Sequence, residues 1–210
     1  MLRMLIAEDH AIVRKGLEQI IKDEYPDSII DFATNGDEAY SIVQSSVYDL
    51  VIMDLNLPGT NSVGLFQQLL HLQPDLKILI CSKSPEKIFA FRYLRLGAAG
   101  YVEQSAPDEA LREAVKMVLY GKKYCSNAVT DLIAERFSGR VPTNPFDQLS
   151  DKEFEVSLHL IKGLQTNEIA DILEVHQSTI AARKVRILKK VGASNAVDLF
   201  NIARQHRIVE

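Results

Sequence analysis

The strongest constraint on the fold is a fivefold alternation of short apolar runs with segments of helical periodicity in the first 120 residues. The runs cover residues 3–9, 28–34, 50–55, 77–82 and 99–104. Between them, apolar residues such as Val13, Leu17 and Ile20 recur at helical spacing. Apolar runs joined by helices are typical of parallel sheets with helices on both sides. We therefore predict an α/β fold with a five-stranded, doubly wound parallel sheet.

The pattern changes after this region. Residues 122–148 contain many turn formers and one possible helix, over residues 127–137, and predict a linker. Regular secondary structure is predicted again from LSDKEF, where Ser150 and Glu153 have the spacing of a helix capping box. Helical patterns follow near residues 151–162, 166–173, 177–191 and 195–206. We therefore predict an α/β domain over residues 1–121, a linker over 122–148, and a small all-α domain of four helices over 149–210.

Composition excludes several classes of protein. The net charge of −4 is too small to indicate nucleic acid or membrane by itself, and most of the acidity lies in the first 120 residues. Cys81 and Cys125 have no metal-ligand spacing and cannot form a disulfide framework. The chain opens without a leader-like pattern, and its apolar runs fall short of the ~18 residues that span a bilayer. We expect a cytoplasmic protein without a membrane partner.

Three acidic residues follow predicted strands. Glu8 and Asp9 end the first run, and Asp54 ends the third, DLVIMDLNLPG. Neighbouring parallel strands bring their carboxyl ends to one edge, so these carboxylates can converge there. Converging carboxylates repel one another unless a cation lies between them, and oxygen ligands suit Mg²⁺. The alternative is that each acid simply caps the helix that follows it.

Residues 3–120 resemble the receiver domain of two-component response regulators over every predicted strand. The resemblance implies a flavodoxin-like fold in which Asp54 accepts a phosphoryl group from a sensor histidine kinase. It also implies that Glu8, Asp9, Asp54 and the backbone carbonyl of Asn56 hold Mg²⁺. The chain would not be an enzyme, beyond autophosphorylation from small phosphodonors and autodephosphorylation.

Three further positions correspond to the conformational switch of that family. Ser82 stands where a hydroxyl group moves to the phosphoryl group, and Tyr101 stands where an aromatic ring follows it inward. Gln104 is a departure, because the family has a lysine near the end of the fifth strand. An amide donates hydrogen bonds but carries no charge, so the phosphorylated state should be less stabilised.

The C-terminal segments TNEIADIL, EVH and QSTIAARKVRILKKV have the proportions of a helix-turn-helix. Between residues 175 and 197 there are five lysines and arginines and no acid, which creates a local positive field. Ile180, Ile187 and Val191 form an apolar stripe on the second helix, and the opposite face is available for a DNA groove. A charged helix exposed to solvent is the simpler alternative.

Residues 149–192 resemble the four-helix DNA-binding domain of LuxR-type regulators. A receiver followed by this domain is the NarL/FixJ type of response regulator. The resemblance implies a transcriptional regulator that binds double-stranded promoter DNA as a homodimer and acts on RNA polymerase. We expect the DNA-contacting residues to be Ser178, Thr179, Ala181, Ala182, Arg183, Val185, Arg186, Lys189 and Lys190.

These DNA-contacting residues have different expected roles. The lysines and arginines should mostly contact phosphates, and Arg186 is the best candidate for a base contact. Val185 stands where a polar base-reading side chain is common, and an apolar group contacts only thymine methyls. The last helix is either a dimerisation element or part of its own bundle.

Two other functions remain open at this point. Gln104 fits a phosphorylation-independent regulator whose receiver serves as a dimerisation or ligand-binding module. An aspartate that ends a strand could also be the nucleophile of a haloacid dehalogenase-type phosphatase. That chemistry needs an acid two residues later, where this chain has Asn56. Nucleotide-dependent catalysis has no support, because the chain lacks both common glycine-rich phosphate-binding loops.

Overall fold

The computed structural model describes residues 1–137, 144–206 and 208–209. The chain forms two compact units, Met1–Phe137 and Ser138–Glu210. The first unit includes the helix within the predicted linker, and residues 138–143 of that linker lie outside the described residues. Residues 207 and 210 of the predicted C-terminal domain also lie outside them. The domain boundaries given above therefore stay a prediction.

The first unit contains the predicted five-stranded parallel sheet. Its strands are β1 (Arg3–Ala7), β2 (Ile29–Ala33), β3 (Leu50–Met53), β4 (Lys77–Ser82) and β5 (Gly100–Glu103). All four neighbouring pairs are parallel, in the order β2-β1-β3-β4-β5. The order reverses at β1 and β3, and in such sheets the crevice beyond the carboxyl ends at that point is the usual binding site. The predicted fold class is confirmed.

Six helices accompany the sheet within the described part of this unit. They are α1 (Ala11–Glu24), α2 (Gly36–Ser45), α3 (Ser62–Leu72), α4 (Glu86–Leu96), α5 (Asp108–Leu119) and α6 (Asn127–Phe137). Asn35 and Asn61 cap α2 and α3 by accepting hydrogen bonds from the third following backbone N–H. Gly97 ends α4 in the left-handed conformation that glycine adopts without strain.

The core of the first unit is built around the sheet. One cluster of buried residues joins two helices to the strands. It includes Leu17 and Ile21 of α1, Leu111 and Val115 of α5, and the strand residue Ile52. Phe66 of α3 is fully buried and meets Tyr93 of α4 edge to face, with ring centroids 5.7 Å apart. These buried side chains of strands and helices thus support the carboxyl edge of the sheet.

The segment between α5 and α6 is fastened to the edge strand β5. The Tyr124 backbone N–H donates to the Ala99 carbonyl at 2.9 Å, and the Tyr101 N–H donates to the Tyr124 carbonyl at 3.3 Å. A side chain on Gly100 would lie 3.0 Å from the Tyr124 carbonyl oxygen, so glycine permits this close approach. Helix α6 then contacts α4.

The second unit is helical in all its described elements. A 3₁₀ turn (Pro145–Gln148) precedes α7 (Asp151–Ile161), α8 (Thr166–Ile172), α9 (Gln177–Val191) and α10 (Ala196–Gln205). The predicted capping box is present, since the Glu153 N–H donates to Ser150 Oγ and the Ser150 N–H donates to the Glu153 carboxylate. The four predicted helices are confirmed, each to within one residue at its ends. Within the described residues, the helices are too short or too polar to cross a membrane.

Candidate functional site

The three acids predicted to converge lie together at the carboxyl edge of the sheet. The Asp54 N–H donates to the Ala7 carbonyl at 2.9 Å, which continues the β1–β3 ladder and places Asp54 beside the end of β1. The Glu8 N–H continues the β1–β2 ladder by donating to the Ala33 carbonyl. Sheet register, rather than local sequence, therefore sets the positions of these carboxylates.

Burial makes this cluster electrostatically costly. Glu8 is 1% exposed and Asp54 is 4% exposed, while Asp9 lies at the surface of the cluster. Burial raises the pKa of Glu8 above its usual value and the nearby Asp54 charge adds to the rise, against hydrogen bonds from His10 and Gln104 that lower it. Asp54 Oδ1 is buried and has no hydrogen-bond partner among the described residues. The donor set fits a bound divalent cation, which would neutralise the two buried carboxylates.

The predicted switch residues form a hydrogen-bonded chain beside Asp54. The Asn56 amide donates to Ser82 Oγ at 3.2 Å and to Ser84 Oγ at 3.4 Å. The Ser84 N–H also donates to Ser82 Oγ, at 3.3 Å. The buried Tyr101 hydroxyl donates to the Ser84 carbonyl at 2.7 Å, so its ring already points inward. The loop after β4 thus links the predicted metal ligand Asn56 to two of the three predicted switch residues, Ser82 and Tyr101.

Gln104 reaches the acidic cluster from the end of β5. Its backbone N–H donates to the Ser82 carbonyl, and its amide nitrogen donates to Glu8 Oε2 at 2.8 Å and to the Cys81 carbonyl at 3.2 Å. The Gln104 amide therefore donates a hydrogen bond to one Glu8 oxygen but does not neutralise the Glu8 charge. Gln104 Oε1 is buried and, like Asp54 Oδ1, has no hydrogen-bond partner among the described residues.

Two residues that the sequence did not single out also contact the cluster, one at the N-cap of α1 and one in its first turn. His10 Nδ1 lies 2.7 Å from Asp9 Oδ1 and 3.2 Å from Glu8 Oε1. Arg14 Nη1 donates to the Glu8 carbonyl at 2.7 Å and to the Asp9 carbonyl at 3.2 Å, and so fixes the loop that carries both acids. The sequence contained one signal that could have identified these two residues: His10 directly follows the acidic pair, and Arg14 lies one helical turn after His10.

The second predicted site is the exposed face of α9. Helices α7 and α8 contact α9, and Ile180, Ile187 and Val191 of α9 are buried as the apolar stripe predicted. The opposite face is solvent-exposed at seven of the nine predicted DNA-contacting positions. Thr179 and Arg183 are half-buried. Val185 is 67% exposed, so its apolar side chain is available to a groove.

The comparisons with known protein families identify both units. Residues 4–116 match the family model described as "Response regulator receiver domain". Residues 147–203 match the model described as "Bacterial regulatory proteins, luxR family". The chain belongs to the NarL/FixJ-type response regulators. This family consists of DNA-binding transcriptional regulators rather than enzymes, and the predicted family and broad function are confirmed.

Curated relatives support the same assignment. The oxygen regulatory protein NreC of Staphylococcus carnosus is 32% identical over 216 residues, covering 100% of both chains. The response regulator GacA of Pseudomonas viridiflava is 29% identical over 211 residues, covering 100% of this chain and 99% of GacA. The phosphatase and the phosphorylation-independent alternatives gain no support from these relatives.

A solved structure agrees with the fold. RcsB from Salmonella enterica serovar Typhimurium, solved bound to the promoter P1flhDC in the presence of the phosphomimetic BeF3-, has a TM-score of 0.79 and 22% identity. The match covers 97% of this chain and 98% of the RcsB chain. It shows that the fold of a response regulator is present over nearly the whole chain.

One predicted DNA contact of this response regulator has an intramolecular partner. Lys190 Nζ lies 2.7 Å from Glu153 Oε2, and the Glu153 side chain is only 7% exposed. Burial alone would raise the pKa of Glu153, but hydrogen bonds from Lys190 and Ser150 outweigh it and hold the pKa below its usual value. Lys190 thus serves the fold of the C-terminal unit, and its contact with DNA phosphate stays a prediction.

We expect Lys190→Ala to destabilise the C-terminal unit by about 1–3 kcal/mol at pH 7, because it leaves a nearly buried carboxylate without its cation. Since the pKa of Glu153 is depressed in the folded state, this stabilisation is present above the ordinary value of 4.5 and is lost as the pH falls through the folded pKa. Urea unfolding of both proteins from pH 7 to pH 3 should therefore show the difference shrinking below pH 4.5.

Lys189→Ala is the matched control on the adjacent exposed position. It should leave the free energy of unfolding within about 0.5 kcal/mol of the original. If it removes a phosphate contact, it should weaken binding to all DNA sequences alike and reduce the salt slope by ~1. Equal destabilisation by the two substitutions would contradict the structural role of Lys190.

Proposed function

We propose that this response regulator is switched by transfer of a phosphoryl group from a sensor histidine kinase to Asp54, and that the switch controls DNA binding by α9. The observation that carries the proposal is that Glu8, Asp9 and Asp54 lie at the carboxyl edge of the sheet where its strand order reverses, and that the buried Asp54 Oδ1 has no hydrogen-bond partner among the described residues. A buried, unsatisfied carboxylate is costly, and such costs are typical of functional sites.

The residues of the cluster divide the chemistry between them. The carboxylates of Glu8, Asp9 and Asp54 and the backbone carbonyl of Asn56 would hold Mg²⁺, which prefers oxygen ligands. When bound, Mg²⁺ supplies charge neutralisation for the acidic cluster and the incoming phosphoryl oxygens. The Asp54 carboxylate attacks phosphorus in line, an O–P bond forms, and the N–P bond to the kinase histidine breaks. Arg14 holds the loop of the acidic pair in place for this step.

The hydrogen bonds of the loop after β4 indicate which residues would move when the acyl phosphate forms. Ser82 Oγ accepts hydrogen bonds from Asn56 and Ser84 in this structure. If Ser82 moved to donate a hydrogen bond to a phosphoryl oxygen, its Oγ would leave these two donors. Ser84 would move with it. Because the Tyr101 hydroxyl donates to the Ser84 carbonyl, this movement would also displace Tyr101. Gln104 would contribute a neutral hydrogen bond in place of a cation.

The C-terminal unit is the proposed DNA-binding element. Its α9 presents the exposed face of Ser178, Ala182, Val185, Arg186 and Lys189 to the major groove. We propose that Arg186 contacts a base and that the lysines contact phosphates. A dimer on inverted half-sites would then present two copies of α9 to the DNA. Val197 on α10 is 70% exposed and is available for contact with the second chain of such a dimer. RNA polymerase would be the partner of the DNA-bound dimer.

The decisive experiment combines acetyl phosphate and Mg²⁺ with intact-mass measurement. We expect the protein to gain one phosphoryl group, and Asp54→Asn to gain none, because an amide cannot form the acyl phosphate. Asp75→Asn, an exposed position after α3, is the matched control and should behave as the original. The phosphorylated sample should also show a larger dimer fraction and tighter promoter binding.

Two results would contradict this proposal. A phosphoprotein that forms equally well in Asp54→Asn would place the acceptor elsewhere. The absence of any phosphoprotein in the original protein, under conditions in which Mg²⁺ binding is measured, would favour a regulator that does not use phosphorylation.

A further inference from the structure

A strap formed by residues 122–126, between α5 and α6, holds helix α4 at both ends. At the C-terminal end of α4, Lys123 Nζ donates to the carbonyl of the capping residue Gly97 at 3.0 Å. At the N-terminal end, the Ser126 hydroxyl donates to Glu86 Oε1 at 2.7 Å. Glu86 is the first residue of α4, and Ser126 directly precedes α6. The strap therefore connects both ends of α4 to the start of α6.

The two attachments differ in how easily they can break. Beside Lys123 the strap continues the sheet, because the Tyr124 backbone is hydrogen-bonded to Ala99 and Tyr101 along the edge strand β5. Moving this end would break backbone hydrogen bonds. The Ser126–Glu86 contact joins two side chains, so a change of rotamer breaks it and leaves the backbone in place. The N-terminal attachment is therefore the one that a small movement can release.

Ser126 is also the N-cap of α6. Its Oγ accepts a hydrogen bond from the Val129 N–H at 3.2 Å, and its carbonyl accepts one from the Thr130 N–H at 3.0 Å. Val129 is 1% exposed, and α6 contacts α4. The hydrogen bond from Ser126 to Glu86 thus ties the first turn of α6 to α4, and its charged acceptor makes it stronger than a bond between neutral groups.

The N-terminal end of α4 directly follows the loop after β4. The Ser84 N–H donates to Ser82 Oγ at 3.3 Å, and Ser84 lies two residues before Glu86. Between them, the ring of Pro85 fixes a backbone dihedral angle, and the Pro85 carbonyl accepts from the Ile88 N–H at 3.1 Å in the first turn of α4. A displacement of Ser84 can therefore pass to the start of α4 and to the Glu86 carboxylate.

We propose that the Ser126–Glu86 hydrogen bond is a latch that holds α6 on α4 and opens when Asp54 is phosphorylated. The inference rests on the proposed function, because the movement of Ser84 that opens the latch follows from phosphoryl transfer to Asp54. Helix α6 is the last element of the first unit, so the latch controls the segment that leads to the DNA-binding unit. Coupling between two sites is reciprocal, so a broken latch also favours the phosphorylated state.

Hydrogen exchange of the full-length protein, followed by mass spectrometry, tests the proposal. In the original protein, the amides of α6 should exchange about tenfold faster with beryllofluoride, a mimic of the phosphoryl group, and Mg²⁺ than without them. Ser126→Asp keeps a good N-cap for α6, but its carboxylate cannot donate to Glu86 and repels it. This variant should show the faster exchange in both conditions. Ser126→Thr is the matched control, because it keeps the hydroxyl group, and should behave as the original.

The affinity for beryllofluoride provides the second readout. Ser126→Asp and Glu86→Ala should each raise it about threefold to tenfold, and the double variant should gain no more than either, because both remove one hydrogen bond. Ser126→Thr should stay within about twofold of the original.

Two results would overturn the latch: beryllofluoride that binds the original protein without changing the exchange of α6, or Ser126→Asp with the affinity of the original protein. Failure of the proposed function gives a different result. The original protein would then bind no beryllofluoride and form no Asp54-dependent phosphoprotein, and the latch would fall with the signal that opens it.

Discussion

Replacing Gln104 with lysine should increase the affinity of the site for beryllofluoride, a mimic of the phosphoryl group, by about tenfold. In the structure the Gln104 amide donates to Glu8 and to the Cys81 carbonyl and brings no positive charge to Asp54, whose Oδ1 is buried without a partner among the described residues. A charged donor makes hydrogen bonds roughly twice as strong as a neutral one, a gain of about 1.4 kcal/mol or one factor of ten.

Titration of beryllofluoride in the presence of Mg²⁺, followed by NMR or by dimer formation, measures this affinity. Gln104→Met is the matched control, because it removes the hydrogen bonds to Glu8 without adding charge, and it should bind beryllofluoride no better than the original protein. Gln104→Lys with unchanged affinity would show that this site is completed by some other group, and that Gln104 does not weaken the binding of a phosphoryl group.

Replacing Ile180 with alanine should remove about half of the stability of the C-terminal unit and weaken promoter binding. Ile180 is 0% exposed in α9, and truncation of a buried isoleucine costs about 2–5 kcal/mol. The unit Ser138–Glu210 is small, and a unit of this size has a net stability of only about 4–10 kcal/mol. The substitution therefore removes a large part of the free energy that keeps α9 folded.

Circular dichroism during urea unfolding and fluorescence anisotropy with labelled promoter DNA check this expectation. Val185→Ala on the same helix is the matched control: its side chain is 67% exposed, so its free energy of unfolding should change by less than about 0.5 kcal/mol. Acetyl phosphate should still modify Asp54 in the Ile180→Ala protein, because Asp54 lies in the other unit. Loss of that modification would show that the receiver does not fold independently.

The fold itself was largely predictable because its signals are local. Apolar runs of six or seven residues, helical periodicity between them and the capping box at Ser150 and Glu153 are patterns of nearby residues, and the structure has the corresponding elements. The position of Asp54 was predictable for a related reason. Once the sheet is parallel, the ends of β1 and β3 lie at the same edge, and the observed strand order places them side by side.

The contacts between side chains were not predictable in the same way. Asn56 and Ser82 are 26 residues apart, and Lys190 and Glu153 are 37 apart, so no local pattern reports their hydrogen bonds. On sequence alone, Lys190 and Lys189 had the same expected role, because both are cations on one helix. Only the packing of α7 against α9 separates them, since it brings a nearly buried carboxylate to one and not to the other.

Sequence patterns alone were enough to predict the two units, the parallel sheet, and the acids and cations of the candidate sites. The contacts that those groups make depend on the tertiary structure. It brings Gln104 to Glu8 across 96 residues, turns His10 towards the acidic pair, and leaves one oxygen of Asp54 without a partner among the described residues. The reason is physical: periodicity and capping depend on neighbours along the chain, whereas the satisfaction of a buried charge depends on every element that packs around it.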